Sequence, residues 1–476
     1  MLKEDTTIIA LATPFGTSAI SVIRISGKDS ISMISKHFHA MKMGKKLYKQ
    51  STHTIHLGYI QDDRDQYDSF NHEHEHQSFL DQVLVSIFKA PFSYTGENMV
   101  EISCHGSEYI QQKIIQFLIR KGMRLAYPGE FTFRAFMNKK LDLSQAEAIF
   151  NLISSKNDLS HEISLQQIKG SIYEIIQNLK KQLLHVSSLL ELELDFDEDH
   201  LVGRNKEDID DVLNQLKTTL SNLVDSFSLG NAIIQGIGVV IIGETNVGKS
   251  TFFNQVIQEE RSITSPIKGT TRDFIEGTRM LRGILFRFLD TAGIRKTEDE
   301  IEQMGIQKTL KQIETSTVIL YILDSCMKKK QQKKIFFDVK NLQKEYPSKT
   351  IFVIANKSDI SSFHDCYGIK DHVSYFFEIS SKNPRDIQKI INTLEKFIIE
   401  QFNHYKVVVI QHRHYEAFRL SLKEIKEADD SFNKGISEEI ISIHLKRALQ
   451  HLEKITGKIT SEDILNNIFS QFCIGK

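Results

Sequence analysis

In the run "GETNVGKS", four residues separate Gly243 from Gly248, which is followed at once by Lys249 and Ser250. That spacing lets a backbone curl its N–H groups around phosphate oxygens. Lys249 then meets the β- and γ-phosphates, and the Ser250 hydroxyl ligates Mg2+. Asn246, Val247 and Thr251 complete the nucleotide-contacting stretch. Four more signatures follow in order. "SPIKGTTRD" supplies Ser265, Pro266, Ile267, Lys268, Gly269, Thr270 and Thr271 on a loop, where a threonine hydroxyl, assigned to Thr271, completes the Mg2+ shell. "LDTAG" supplies Asp290 behind the metal, then Thr291, Ala292 and Gly293, whose N–H senses the γ-phosphate. "NKSD" supplies Asn356, Lys357 and Asp359; a carboxylate there accepts both N1–H and N2–H2 of guanine, a pair that adenine does not present. "ISSK", with Ser380, Ser381 and Lys382, is placed to reach guanine O6 through its backbone. Each piece alone is a turn at a strand end; the ordered set implies a GTPase domain. A Ras-type domain carries a water-orienting glutamine just after the Asp-Thr-Ala-Gly run, and here that position is Ile294.

Each motif is held at the carboxyl end of an apolar run. "GVVIIG", "LFRFLD", "VILYILD" and "TIFVIANKSD" read as strands separated mostly by helical segments, which predicts a mainly parallel sheet with helices on both faces over residues 230–383. The six prolines (Pro14, Pro91, Pro128, Pro266, Pro347 and Pro384) leave long intervals in which nothing breaks a helix. Within the first of them Ile172, Ile176, Leu179, Leu183, Val186 and Leu190 recur at three and four, one apolar face of a long helix. Helical parts are therefore expected over 126–229 and 384–476, flanking the sheet domain. Residues 1–125 differ, with short runs such as "AISVIRIS" and "DQVLVSIF" broken by Gly, Pro and Asn, and read as an α+β domain. The fold class is α+β and α/β multidomain, with an all-α part interrupted by the nucleotide domain.

Sixty Lys and Arg against 61 Asp and Glu give a formal net charge of −1, so no global positive field exists to bind nucleic acid unaided. Cys104, Cys326, Cys366 and Cys473 include no C-x-x-C pair, which argues against a disulfide framework or a structural zinc site and suits a reducing cytosol. No apolar run reaches the roughly 18 residues of a membrane span, so a cytoplasmic chain without a membrane is expected. "NHEHEHQ" aligns His72, His74 and His76 on one strand face, either as a metal site or as a solvated insertion. "MKKKQQKK" at 327–334 reads as a solvated helix face, with RNA contact as the other reading. Cys473, in the closing "SQFCIGK", lacks the residues of a prenylation box and any ligand-spaced partner. Packing beside Phe469 and Phe472 is the plain reading left for it.

With these stretches in hand, the sequence resembles the MnmE (TrmE) family of tRNA-modification GTPases nearly end to end. The resemblance rests on "SYTGENMVEISCHG", "PGEFTFRAFMNKKLDLSQAEAI", "ITSEDILNNIFSQFCIGK", the nucleotide motifs and the opening "ATPFG…VIRISG". It implies a tetrahydrofolate-binding, dimerising amino-terminal domain that uses a 5-formyl or methylene derivative, with folate contacts at Arg24, Glu101, Lys140 and Lys476. K+ beside the phosphates would be held through Asn246, Ser265, Ile267 and Thr270, and Glu302 would orient water. The family acts as a homodimer with the flavoprotein MnmG, adding a carboxymethylaminomethyl or aminomethyl group to carbon 5 of wobble uridine in certain tRNAs. It also places Cys473 beside the folate, where a thiol could serve the modification chemistry. Three departures are visible: "PFGTSA" in a normally glycine-rich opening, Thr245 for a proline, and Ser265 for a threonine. None removes a catalytic atom. A regulatory or ribosome-assembly GTPase is the alternative, and the folate-like amino-terminal block argues against it.

Overall fold

The structure, a computed structural model, describes residues 6–42, 44, 46–62, 79–195, 202–258, 275–290, 310–459 and 461–476. The chain divides into two compact units, one of residues up to 150 with 167–176 and 453–476, the other of 151–166 and 177–452.

The first unit is built on seven strands: β1 (Ile8–Leu11), β2 (Ile20–Ser26), β3 (Phe38–Ala40), β4 (Thr54–Gln61), β5 (Phe79–Phe88), β6 (Met99–His105) and β7 (Arg124–Leu125). Their order is β3-β4-β5-β6-β2-β1-β7, antiparallel throughout except for the β1–β7 edge. Alternation along β2 decides what faces where. Ile23 and Ile25 are buried with Val85, Ile87, Val100 and Ile102 under the helices Ser30–His37 and Glu108–Arg120. Each such side chain stabilises the fold by roughly 1.5–3 kcal/mol. Arg24, between them, is sent to the opposite face, directly across from Glu101 on β6. On that side Ile8, Ala10, Ala126 and Phe131 form a smaller core, and Phe133, Leu143, Ala146, Phe469 and Phe472 another. The runs "AISVIRIS" and "DQVLVSIF" are thus strands β2 and β5, as their composition predicts.

The second unit holds β8 (Ile237–Ile242), β9 (Ile275–Leu281), β10 (Ile284–Asp290), β11 (Val318–Asp324), β12 (Thr350–Asn356) and β13 (Tyr375–Glu378) in the order β13-β12-β11-β8-β10-β9. All pairs are parallel except β9–β10, a hairpin that adds an antiparallel edge. The four apolar runs singled out in the sequence are β8, β10, β11 and β12. Alternate residues of β8 enter opposite cores: Val239 and Ile241 meet helix Lys249–Gln258, and Val240 and Ile242 meet helix Lys329–Glu345. The first face is also covered by Ile387, Ile390, Ile391 and Leu394 of helix Pro384–His404, which starts on Asn383 as cap and Pro384 in its first turn. The sheet's own cover therefore runs past residue 383. Helix Val202–Gln235 packs along helix His412–Asn433, with Phe227 stacked on Tyr415 at 4.4 Å and Lys217 paired to Asp429 at 2.6 Å. Ile172, Ile176, Leu179, Leu183, Val186 and Leu190 all lie buried on helix Ser171–Asp195.

No described helix is long and apolar enough to cross a membrane. Among the described residues no group of three His, Cys, Asp or Glu could hold a metal ion. His72, His74 and His76 lie outside them.

Candidate functional site

The chain leaves β8 through a loop whose left-handed positions fix its curl. Gly243 has φ +143°, and a Cβ there would meet the Ile322 carbonyl oxygen at 2.1 Å. Gly248 has φ +98°, and its Cβ would fall 2.2 Å from Asn356 Nδ2. Asn246 between them is left-handed as well, at φ 64°. Successive N–H groups in such a curl make an anion-binding concavity at the start of a helix, here Lys249–Gln258. Val247 is buried, while the hydroxyl-bearing Ser250 and Thr251 are exposed at the helix's opening. Lys249 Nζ donates to the carbonyls of Gly243 at 2.8 Å and Glu244 at 2.7 Å. Burial pushes this ammonium below its ordinary range, and the charges of Asp290 and Glu244 oppose that shift. Asp290 is itself buried at the end of β10, one strand from the loop.

The loops after β12 and β13 are tied to this curl by one side chain. Buried Asn356 donates from Nδ2 to the Val247 carbonyl at 2.8 Å, and its Oδ1 accepts from the Ser381 N–H and Oγ, both at 2.8 Å. Lys357 has φ 69°, and its Nζ pairs with Asp324 Oδ2 at 2.7 Å. The other oxygen of Asp324 accepts from the Cys326 N–H. Asp359 is exposed; a hydrogen bond from Ser380 holds its carboxyl below the usual range, helped by Lys382, whose Nζ stands 3.7 Å away. The structure thus gathers Asn246, Val247, Gly248, Lys249, Ser250, Thr251, Asn356, Lys357, Asp359, Ser380, Ser381 and Lys382 around the strand ends, with Asp290 beside Lys249. The sites at Ser265 to Thr271, Thr291 to Gly293 and Glu302 lie outside the described residues. Asp324 went unremarked in the sequence, although its position, a carboxylate ending an apolar strand, matches that of Asp290.

The first unit carries a second cluster. Arg24 donates from Nε and Nη2 to Glu101 Oε1, at 2.9 and 2.8 Å, and from Nη1 to the Gly475 carbonyl at 3.2 Å. Its guanidinium lies 5.5 Å from the centre of the Tyr94 ring and 5.9 Å from that of Phe131. Gly475 has φ +96°, and a Cβ there would meet the Leu11 carbonyl oxygen at 2.3 Å, so only glycine seats this close approach. Lys476 is partly buried; desolvation lowers its ammonium, Arg24 adds to the shift, and Cys473 opposes it. Arg24, Glu101 and Lys476 are therefore neighbours, whereas Lys140 donates to the Pro91 carbonyl at 3.0 Å, on the loop that also carries Tyr94. That loop is pinned by Ser26 to Thr95 and Glu97, and by Arg134, which bonds both Glu97 and Glu130. These residues lie within the stretches quoted above, but nothing local in them predicts a buried ion network. Phe469 and Phe472 are buried while Cys473 is exposed, so packing accounts for the rings and not for the thiol.

These features define a class: a chain with a glycine-turned loop opening a helix at the strand ends of a mainly parallel sheet, and an α+β unit bearing an arginine-centred cluster. A family model described as GTP-binding protein TrmE N-terminus matches residues 7–140, and one described as MnmE helical domain matches residues 143–473. A protein of Flavobacterium psychrophilum named tRNA modification GTPase MnmE is 44% identical over 477 residues, covering 100% of both chains. Proteins of the same name from Flavobacterium johnsoniae and Christiangramia forsetii are 43% and 41% identical, again over 100% of both chains. The chain belongs to the MnmE family.

Proposed function

We propose that this chain is a GTP-hydrolysing subunit of a tRNA-modifying complex, adding a carboxymethylaminomethyl or aminomethyl group to carbon 5 of wobble uridine with a tetrahydrofolate as one-carbon carrier. Its sheet domain is read as a Ras-like P-loop GTPase. The observation that carries the reading is Asn356, which joins the phosphate curl to both loops that would face a guanine. On this reading the curl and Lys249 bind the β- and γ-phosphates, and Ser250 with Thr271 hold Mg2+, with Asp290 behind. Asp359 accepts from the guanine edge, and the Ser381 and Lys382 backbone approaches O6. Mg2+ held by the Ser250 and Thr271 hydroxyls would supply positive charge to the phosphates. In the first unit, Arg24 and Lys476 are cations suited to a folate's glutamate tail, and Glu101 is an acceptor suited to a pterin edge. Exposed Ile55, Leu57 and Leu84 lie on the same sheet face as Glu101, an apolar surface that suits a homodimer. Partnership with the MnmG flavoprotein, tRNA as substrate and a cytoplasmic setting complete the proposal. The arginine-centred site favours it over a purely regulatory GTPase. Nucleoside mass spectrometry of tRNA from a deletion strain carrying this gene should show the wobble modification restored; unmodified uridine would overturn it.

Ile294 in place of a glutamine leaves water orientation to Glu302, and Asn246, Ser265, Ile267 and Thr270 are suited to K+ beside the phosphates. Such a cation supplies fixed positive charge where an arginine finger contributes about 10³–10⁵. GTP turnover should accordingly be at least about tenfold faster in KCl than in NaCl at matched ionic strength, and equal rates would remove K+ from the site.

Exposed Cys473, beside Lys476, is assigned to the modification reaction as nucleophile or acid. Cys473→Ser should keep folate binding and GTP turnover within about twofold yet leave the wobble uridine unmodified in the complementation assay. Full restoration by the serine variant would release the thiol from that role.

A further inference from the structure

The residue after Gly243 in the phosphate curl is an acid, Glu244, and its two ends do different things. Its carbonyl accepts Lys249 Nζ at 2.7 Å, while its carboxylate pairs through Oε1 with Lys334 Nζ at 3.1 Å, on the neighbouring helix Lys329–Glu345. The carboxylate's charge also opposes the burial that lowers the Lys249 ammonium. Glu244 thus stands between two ammonium groups, one of which is placed to receive phosphate. A carboxylate free to settle on Lys249 would compete with an incoming phosphate for the same cation and repel the phosphate's own charge. One turn further along the helix, Asp338 reaches the buried Tyr321 hydroxyl at 3.5 Å and adds a second negative charge facing Lys334. Lys334 therefore faces two acids at this corner, on a run, "MKKKQQKK", that is otherwise largely exposed as a solvated helix face.

We propose that Lys334 is a positioning residue for nucleotide binding: it holds the Glu244 carboxylate off Lys249, and so sets how strongly the curl prefers a triphosphate over a diphosphate. The inference rests on the nucleotide reading above and adds to it a specificity element outside those motifs. Because Lys334 is 65% exposed, solvent screens the effect, which is modest and salt-dependent.

The test is a double-mutant cycle on the full chain, titrated with a non-hydrolysable GTP analogue and with GDP at about 20 mM and about 500 mM salt. Lys334→Ala should weaken the triphosphate by about three- to tenfold at low salt and the diphosphate by less, with the loss shrinking at high salt. Lys334→Arg should restore affinity. In a Glu244→Gln background the same Lys334→Ala change should have no effect, because no carboxylate remains to be held. An equal loss in both backgrounds, or an equal loss for GTP analogue and GDP, would overturn the proposal by making Lys334 a merely structural or general electrostatic contributor. Failure of the parental chain to bind either nucleotide would instead overturn the nucleotide reading itself, so the two outcomes are distinguishable.

Discussion

Asn356→Ala is expected to lower GTP affinity by about 10² and to destabilise the sheet unit by about 2–4 kcal/mol. The side chain is 3% exposed and makes three bonds: one to the Val247 carbonyl, two from Ser381. Removing it leaves a buried carbonyl and a buried N–H without that partner, at about 1–3 kcal/mol for each group stranded. It also releases the phosphate curl from the loop meant to face the base, so binding and stability fall together. Asn356→Asp should be no milder, since it sets a carboxylate against the Val247 carbonyl. Calorimetric titration reads the affinity, and urea unfolding without nucleotide reads the stability. A variant with parental midpoint and parental affinity would show that the tie is incidental.

Asp359→Asn separates recognition from stability. Asp359 is exposed, with a hydrogen bond from Ser380 and the Lys382 ammonium 3.7 Å away, so the unfolding midpoint should move little. Guanine would lose an acceptor for two donors and gain an amide donor facing its own, a mismatch worth about 10²–10⁴ in affinity. Xanthine carries a carbonyl where guanine carries the N2 amine, so XTP should bind the variant better than GTP does. Retained GTP preference in Asp359→Asn would remove this residue from the base site.

How much of this was legible beforehand depends on whether the determinant was local. β8, β11 and β12 announce themselves as apolar runs, because a parallel strand buried on both faces has no solvent side to mark, whereas β10 alternates buried and half-buried residues and carries Arg287. The phosphate curl is legible for the same local reason: Gly243 and Gly248 are required by their own backbone angles. The antiparallel edge β9 is short of such a signal, since its pairing is set by the turn at Arg282 and Gly283. Helix Pro384–His404 is periodic enough to be foreseen as a helix, but which core it covers depends on the sheet beneath it. The ion network of Glu97, Glu130 and Arg134 is invisible to any window, because its members meet only after the 91–98 loop folds onto helix Glu130–Met137. Only family resemblance links Arg24 with Lys476 in the sequence; in the structure Arg24 bonds the Gly475 carbonyl, one residue before Lys476.

That contact has a consequence for biosynthesis. Arg24 and the Gly475 carbonyl that it holds are separated by 451 positions in the chain. At translation rates of about 5–20 residues per second, Arg24 emerges from the ribosome roughly 20–90 s before its partner is made. The strands β1, β2 and β6 can pair early, but the arginine-centred site stays incomplete through nearly the whole of synthesis. A nascent chain stalled before Gly475 would therefore carry a paired sheet in which the Arg24 guanidinium still lacks its carbonyl partner.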